Sequence, residues 1–211
     1  MTGFLALGVL TWWLTYDPAK ELVISIPGLD SIPSGQEGNF QEVNIGEFFE
    51  EYGEEMSQLS GSWIGFRGQK RNNIVEDVGK LISTFGSSGP KIEWEVELGE
   101  GHAAPVIQKG KVYILDYLEE QKMDALRCFS LTSGKELWRR SYGIHIKRNH
   151  GMSRTVPALG KDFLVTLGPM GHVMCVDPEN GDLKWSLDLV EHYGTEIPFW
   201  YTGQCPLVHD D

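Results

Sequence analysis

The stretches "CFSLTSGKELW" (Cys128–Trp138) and "CVDPENGDLKW" (Cys175–Trp185) carry one pattern: Cys, five residues, Gly, three residues, Trp. With only three Cys and seven Trp in 211 residues, recurrence of this spacing marks a structural period. Asn180-Gly181 is a strong short hairpin signal and predicts a type I′ turn, whose two central residues need positive φ. "TSGK" (132–135) is its weaker counterpart.

Working outward, Pro105, Pro157 and Pro206 each precede an apolar residue, in "HAAPVI", "RTVPAL" and "GQCPLV". After the first two come "KGKVYIL" and "LGKDFLVTL", each a Gly-Lys turn followed by a β-branched run. Each unit therefore reads strand, turn, strand, hairpin, strand, Gly turn, Trp strand. The first unit carries extra residues at "DYLEEQKMDALR". Trp94, in "KIEWEVEL", fits the last strand of a preceding unit. Four strands in roughly 40–50 residues is the period of a β-propeller blade. The fold class expected is all-β: a partial propeller of about two and a half four-stranded blades. The chain would stop one strand into a further unit at "CPLVHDD", as an amino-terminal piece of a longer propeller does.

The motif resembles the tryptophan-docking repeat of the pyrroloquinoline-quinone (PQQ) type propellers: small residue, x, Asp, x, x, Thr, Gly, three residues, Trp. Cys128 and Cys175 take the small position, Asp177 the Asp position, and Gly134, Gly181, Trp138 and Trp185 match outright. Ser130 departs from Asp, and Ser133 and Asn180 replace Thr. "SWIGFRGQKRNNI" (Ser62–Ile74) is similar to the entry segment before the first blade of bacterial members. "NHGMSRTVPAL" and "WYTGQCPL" resemble a membrane-anchored subgroup. The resemblance covers residues 63–211 and implies that each indole packs between neighbouring blades.

Net charge is −12 and the isoelectric point is near 4.9, which argues against nucleic acid as a partner, since phosphate recognition needs a basic surface. Seven Glu and no Lys or Arg fall between Glu37 and Glu55, a solvated linker or an acidic docking surface. The odd Cys count, without a CxxC pair, excludes a disulfide framework. Two Cys at equivalent repeat positions are expected to be small packing residues.

"GFLALGVLTWWLTY" (Gly3–Tyr16) has no charge over fourteen residues. Trp12, Trp13 and Tyr16 before Asp17-Pro18 look like an interfacial aromatic belt. The expectation is a membrane anchor over 1–16 whose first turns are missing, because a bilayer core needs about 20 residues. Residues 17–62 read as an acidic linker. Within it Ile45, Phe48, Phe49, Tyr52, Met56 and Leu59 recur at three- and four-residue intervals, predicting a short amphipathic helix over 44–59. Residues 63–211 form the propeller part.

Propellers place ligands at the mouth of the central channel, and the proline-led strands should be innermost. The residues just before those prolines, His102, Arg154 and Gln204, are the candidate ligand contacts. Asn149, His150, Trp200 and Tyr201 lie on loops leading in. Such a ring of donors suits a carboxylate-rich ligand or a peptide, with Arg154 as the bidentate partner, or it seals the channel by internal pairing. No cluster has metal-ligand spacing, and no nucleophile elbow or phosphate loop is present.

The resemblance implies two roles. One is a non-catalytic module binding a protein or small-molecule ligand, held through residues 3–16 to a bacterial inner membrane with the propeller in the periplasm. The other is a quinoprotein dehydrogenase carrying PQQ and calcium. Such enzymes typically have an adjacent Cys pair, which this sequence lacks, and their calcium-binding carboxylates do not align here. A sensor ectodomain whose acidic linker recruits a partner is a third reading.

Overall fold

In the computed structural model, which describes residues 2–16, 43–55, 57, 59–75, 82, 84–87, 89–147 and 152–209, the chain forms two units, 1–40 and 41–211. The first unit contains helix α1 (Thr2–Thr15), fourteen residues long. Thr11 and Thr15 turn their hydroxyls back onto the carbonyls of Leu7 and Thr11, both at 2.8 Å, and Trp12 stacks on Tyr16. Among the described residues no helix is long and apolar enough to cross a membrane.

The second unit holds two antiparallel sheets. One is built from β1 (Phe48–Glu51), β2 (Val106–Gln108), β3 (Lys111–Leu118), β4 (Met123–Ser130) and β5 (Glu136–Gly143), in the order β1-β5-β4-β3-β2. The other is built from β6 (Ala158–Leu159), β7 (Leu164–Leu167), β8 (His172–Val176) and β9 (Leu183–Asp188), in sequence order. A short helix, α2 (Leu189–Tyr193), follows, capped by Asp188 and closed by Gly194 at φ 64°. The chain is thus mostly β, a partial propeller, with the two proline-led strands at one edge of each sheet and the Trp strands towards the other. The extra residues of the first unit lengthen the β3–β4 hairpin to eight-residue strands, against four and five in β7 and β8.

The opening motif has the same geometry in both sheets. Cys128 pairs across the ladder with Trp138, and Cys175 with Trp185, and in each a register shift follows the Cys. A small residue opposite an indole leaves room for the ring. Both thiols are buried, and burial pushes the Cys128 thiol well above the ordinary range and the Cys175 thiol up, so they are packing groups and not nucleophiles. The turns also match. Gly134 N donates to Ser130 O at 2.9 Å and Gly181 N to Asp177 O at 2.8 Å, and the ladders resume at Ser130–Lys135 and Asp177–Asp182. Gly134 and Gly181 lie at φ 71° and 75°, whereas Asn180 is not left-handed. The predicted type I′ turn is therefore a longer loop with one left-handed glycine. Asp177 stabilises it by accepting from Glu179 N. Ser130 does the same work through its hydroxyl, accepting from Thr132 N and Ser133 N.

Each turn glycine is the seat of an indole from the preceding unit. A Cβ at Gly134 would lie 2.7 Å from the Trp94 ring, and one at Gly181 would lie 2.9 Å from the Trp138 ring and 2.7 Å from Phe49. Trp94 belongs to no assigned strand, yet its Nε1 donates to Leu131 O at 2.9 Å. The matching carbonyl in the second sheet, Pro178 O, is taken by the Tyr113 hydroxyl at 2.9 Å, and Trp138 Nε1 has no partner among the described residues. Trp185, the third such indole, is 48% exposed, against 3% for Trp138.

The segment read as an amphipathic helix is instead β1 and its flanks. Phe48 to Glu51 pair antiparallel with Ser141 to Trp138. Gly46 and Gly53 adopt φ 76° and 129°, which break a helix, and the free edge of β5 offers backbone partners that override the 3.6-residue periodicity. Phe49 covers Trp138, and Arg140 stacks over Phe49 at 4.6 Å while donating to Gly181 O and Gly46 O. Glu55 accepts from Ser130 and Ser133 at 3.1 and 2.8 Å.

Gly181→Ala is expected to destabilise the protein by roughly 2–4 kcal/mol, the sum of left-handed strain and overlap with two rings. Gly143→Ala, where a Cβ meets nothing within 4 Å, serves as the control and should be near neutral. Urea unfolding checks both, and equal effects would remove the glycine seat as the reason for the motif.

Candidate functional site

The inner edges of the two sheets are joined by backbone. Trp63 and Ile107 exchange hydrogen bonds at 2.8 and 2.9 Å, and Leu159 N donates to Ile64 O at 2.8 Å. One residue pair of the entry segment thus lies along β2 and β6 together. Further along, His102 N and Ala103 N both donate to Ser153 O, at 2.8 and 3.0 Å. Ser153 itself is fixed by its hydroxyl, which donates to Asp124 Oδ1 at 2.6 Å, while the Tyr142 hydroxyl donates to Asp124 Oδ2 at 2.9 Å.

This framework walls a cleft of about 1370 Å³ on the inner-edge side. His102, Arg154 and Gln204, predicted from their place before the prolines, all line it, and so do Arg67, Arg71 and Lys161. Among its described lining residues there is no Asp or Glu, in a chain with 30 acidic and 18 basic residues. The wall is therefore a local inversion of the protein's charge. Gln69, Gln108 and Gln204 add neutral amides.

The cations differ in how they are held. Arg154 donates through Nε to Thr202 O at 3.2 Å and through Nη2 to Tyr201 O at 2.8 Å, so part of its fork secures the 201–203 turn. Arg71 donates to Val208 O at 2.8 Å. Arg67 and Arg71 are exposed and sit at φ 66° and 54°, with Asn73 at 59°. Bonds from Gly68 N to Gly65 O, Arg71 N to Gly68 O and Asn73 N to Arg67 O fold this loop, and Gly68 rests against the Trp63 ring.

Trp200 and Tyr201 do not line the cleft. Tyr201 is half-buried and donates to Lys147 O at 2.6 Å, supporting the loop. Trp200 is 46% exposed, with its ring edge-on to Phe199. Asn149 and His150 lie outside the described residues. Cys205 lines the cleft, and its Sγ accepts from Val156 N. Arg67, Arg71 and Lys161 were not among the candidates. The signal for the arginines was "FRGQKR", read only as an entry segment, and Lys161 lies in a Gly-Lys turn read only as punctuation.

Two sheets with the same four-strand order, the same glycine turn and the same indole seat define a β-propeller. Residues 39–207 match the family model described as "Outer membrane protein assembly factor BamB", and the chain belongs to this PQQ-like propeller family. No curated protein matches the sequence. Among solved structures, a europium-containing methanol dehydrogenase is 20% identical, with a TM-score of 0.29, over 39% of this chain and 14% of that one. A quinohemoprotein alcohol dehydrogenase from Comamonas testosteroni is 19% identical, with a TM-score of 0.33, over 45% of this chain and 14% of that one. The matches therefore span about one-seventh of those enzymes.

Asp124 is buried behind this region and holds Ser153 and Tyr142. Burial raises its carboxyl to about 6 against the hydrogen bonds from Ser153 and Tyr142. A raised folded pKa favours the native state fully below the unfolded value of 3.8, and that contribution is lost as pH rises through about 6. Relative to Asp124→Asn, wild type should lose roughly 2 kcal/mol between pH 4 and pH 8. Burial lowers His172, which acts in the opposite direction but is common to both proteins. Urea unfolding across that range is the measurement, and a pH-independent difference would contradict the assignment.

Proposed function

We propose that this protein is a membrane-tethered, extracytoplasmic propeller that binds a ligand without chemistry, in the inner-edge cleft. The observation that carries the reading is the cleft itself: donors from the entry segment, from both proline-led strands and from the 203–208 segment converge on one wall free of carboxylates among its described residues. The family description, an outer-membrane assembly factor, supports a binding role over catalysis. For the tether, α1 is uncharged and the hydroxyls of Thr11 and Thr15 are satisfied on its own carbonyls, as an apolar surrounding requires. On this reading the propeller lies in the periplasm of a bacterium, with the inner membrane as anchor.

PQQ with calcium fits the cleft only in part. Arginine forks suit the carboxylates of such a cofactor, but the described wall offers no carboxylate for the metal, and calcium takes six to eight oxygen ligands, mainly carboxylates and carbonyls. No redox step is derived for these residues.

Titrating the full chain with PQQ and calcium should leave the quinone absorbance unchanged at tens of micromolar cofactor. In fractionated cells the full chain should sediment with membranes, and a chain lacking residues 2–16 should not. Calcium-dependent cofactor binding with alcohol-driven dye reduction would replace this reading with the dehydrogenase.

A further inference from the structure

Resting on the cleft as the ligand site, we infer that its occupant is an acidic peptide segment, recognised chiefly by Arg67 and Arg71. Three observations lead there. The first is sign. The described lining includes Arg67, Arg71, Arg154, Lys161 and His102 and no carboxylate, while the chain carries −12 overall. A concave basic wall in an acidic protein concentrates anions where it opens.

The second is the division of labour among the arginines. Arg154 is engaged through two nitrogens by the carbonyls of Tyr201 and Thr202, so it braces the wall, whereas Arg71 gives a single bond, from Nη2 to Val208 O, and keeps its other guanidinium donors for a ligand. Arg67 and Arg71 project from a loop that is pinned at its base by the Trp63–Ile107 backbone pair. They hold non-glycine residues in left-handed backbone, at a cost of about 1–2 kcal/mol per residue in intrinsic terms. Such strain persists where surrounding contacts over-determine it, and it clusters at ligand clamps. Two guanidinium forks four residues apart on one braced loop suit two carboxylates on one ligand.

The third is size and amide content. A cleft of about 1370 Å³ exceeds the roughly 300–1,000 Å³ of small-molecule sites, and several residues of extended chain would fill it. Gln69, Gln108 and Gln204 line the same wall. Each amide both donates and accepts, which matches the alternating N–H and C=O groups of a peptide backbone.

The test is fluorescence anisotropy of the full chain with fluorescein-labelled (Glu-Gly)4 and (Gln-Gly)4 peptides. The Glu peptide should bind at least 10-fold more tightly at 50 mM NaCl, and the preference should shrink at 500 mM. Arg67→Gln with Arg71→Gln should abolish it, Arg67→Lys with Arg71→Lys should restore part of it, and Lys91→Gln, an exposed cation outside the cleft, should leave it intact. Citrate binding as tightly as the Glu peptide would overturn the extended-segment assignment. Equal binding of both peptides, lost in Gln204→Trp, would overturn acid recognition while leaving the cleft as the ligand site. Binding unaffected by Gln204→Trp would overturn the cleft reading itself.

Discussion

The contact between an indole and a turn glycine organises this protein at three levels. Locally, the seat exists because Gly181 has no Cβ and can hold φ 75°, so the backbone approaches the Trp138 ring face. Within a sheet, the ring has room because Cys128 is its cross-strand partner. Between sheets, the ring transfers the position of one unit to the next, since Trp94 meets Gly134 in the same way that Trp138 meets Gly181. The polar tip of the ring matters less than its area. Trp94 Nε1 has a carbonyl and Trp138 Nε1 has none among the described residues, yet the ring placement is shared. An aromatic ring buries roughly 150–250 Å², which at about 25 cal/mol per Å² outweighs one missing hydrogen bond of about 1 kcal/mol.

Features set by local chemistry were legible in the sequence. The Cys–Gly–Trp spacing reports one hairpin, the aligned prolines report one edge of each sheet, and His102, Arg154 and Gln204 share a cleft because each lies within three residues before one of those prolines. Features set by long-range pairing were not. Phe48, Phe49 and Tyr52 have helical spacing, but their partners are β5 and the Trp138–Gly181 seam, some ninety or more residues away. Arg67 and Arg71 reach the cleft because Trp63 pairs with Ile107 and Ile64 O accepts from Leu159 N. Asn180-Gly181 was read two residues too tightly, since a side-chain acceptor at Asp177 stabilises a longer loop that pure dipeptide propensity does not register.

Two electrostatic arrangements coexist in the second unit, and their difference separates structure from function. In the first sheet Arg127 is bonded to Asp116, to Glu136 through two nitrogens and to Glu97 O, and Arg139 continues the chain to Glu136 and Glu50. Here each charge has an opposite partner, which is the condition under which ions tolerate burial. The described lining of the cleft has no such carboxylates beside Arg67 and Arg71. Arg71 meets a carbonyl at 2.8 Å, and a carbonyl dipole offsets only part of a full charge. The −12 carried by the whole chain does not neutralise the wall at short range, since charges beyond about 8–10 Å are screened at physiological salt. A fold that neutralises Arg127 and Arg139, and leaves Arg67 and Arg71 on a strained loop without carboxylates in the described wall, is the contrast on which the proposed acidic ligand rests.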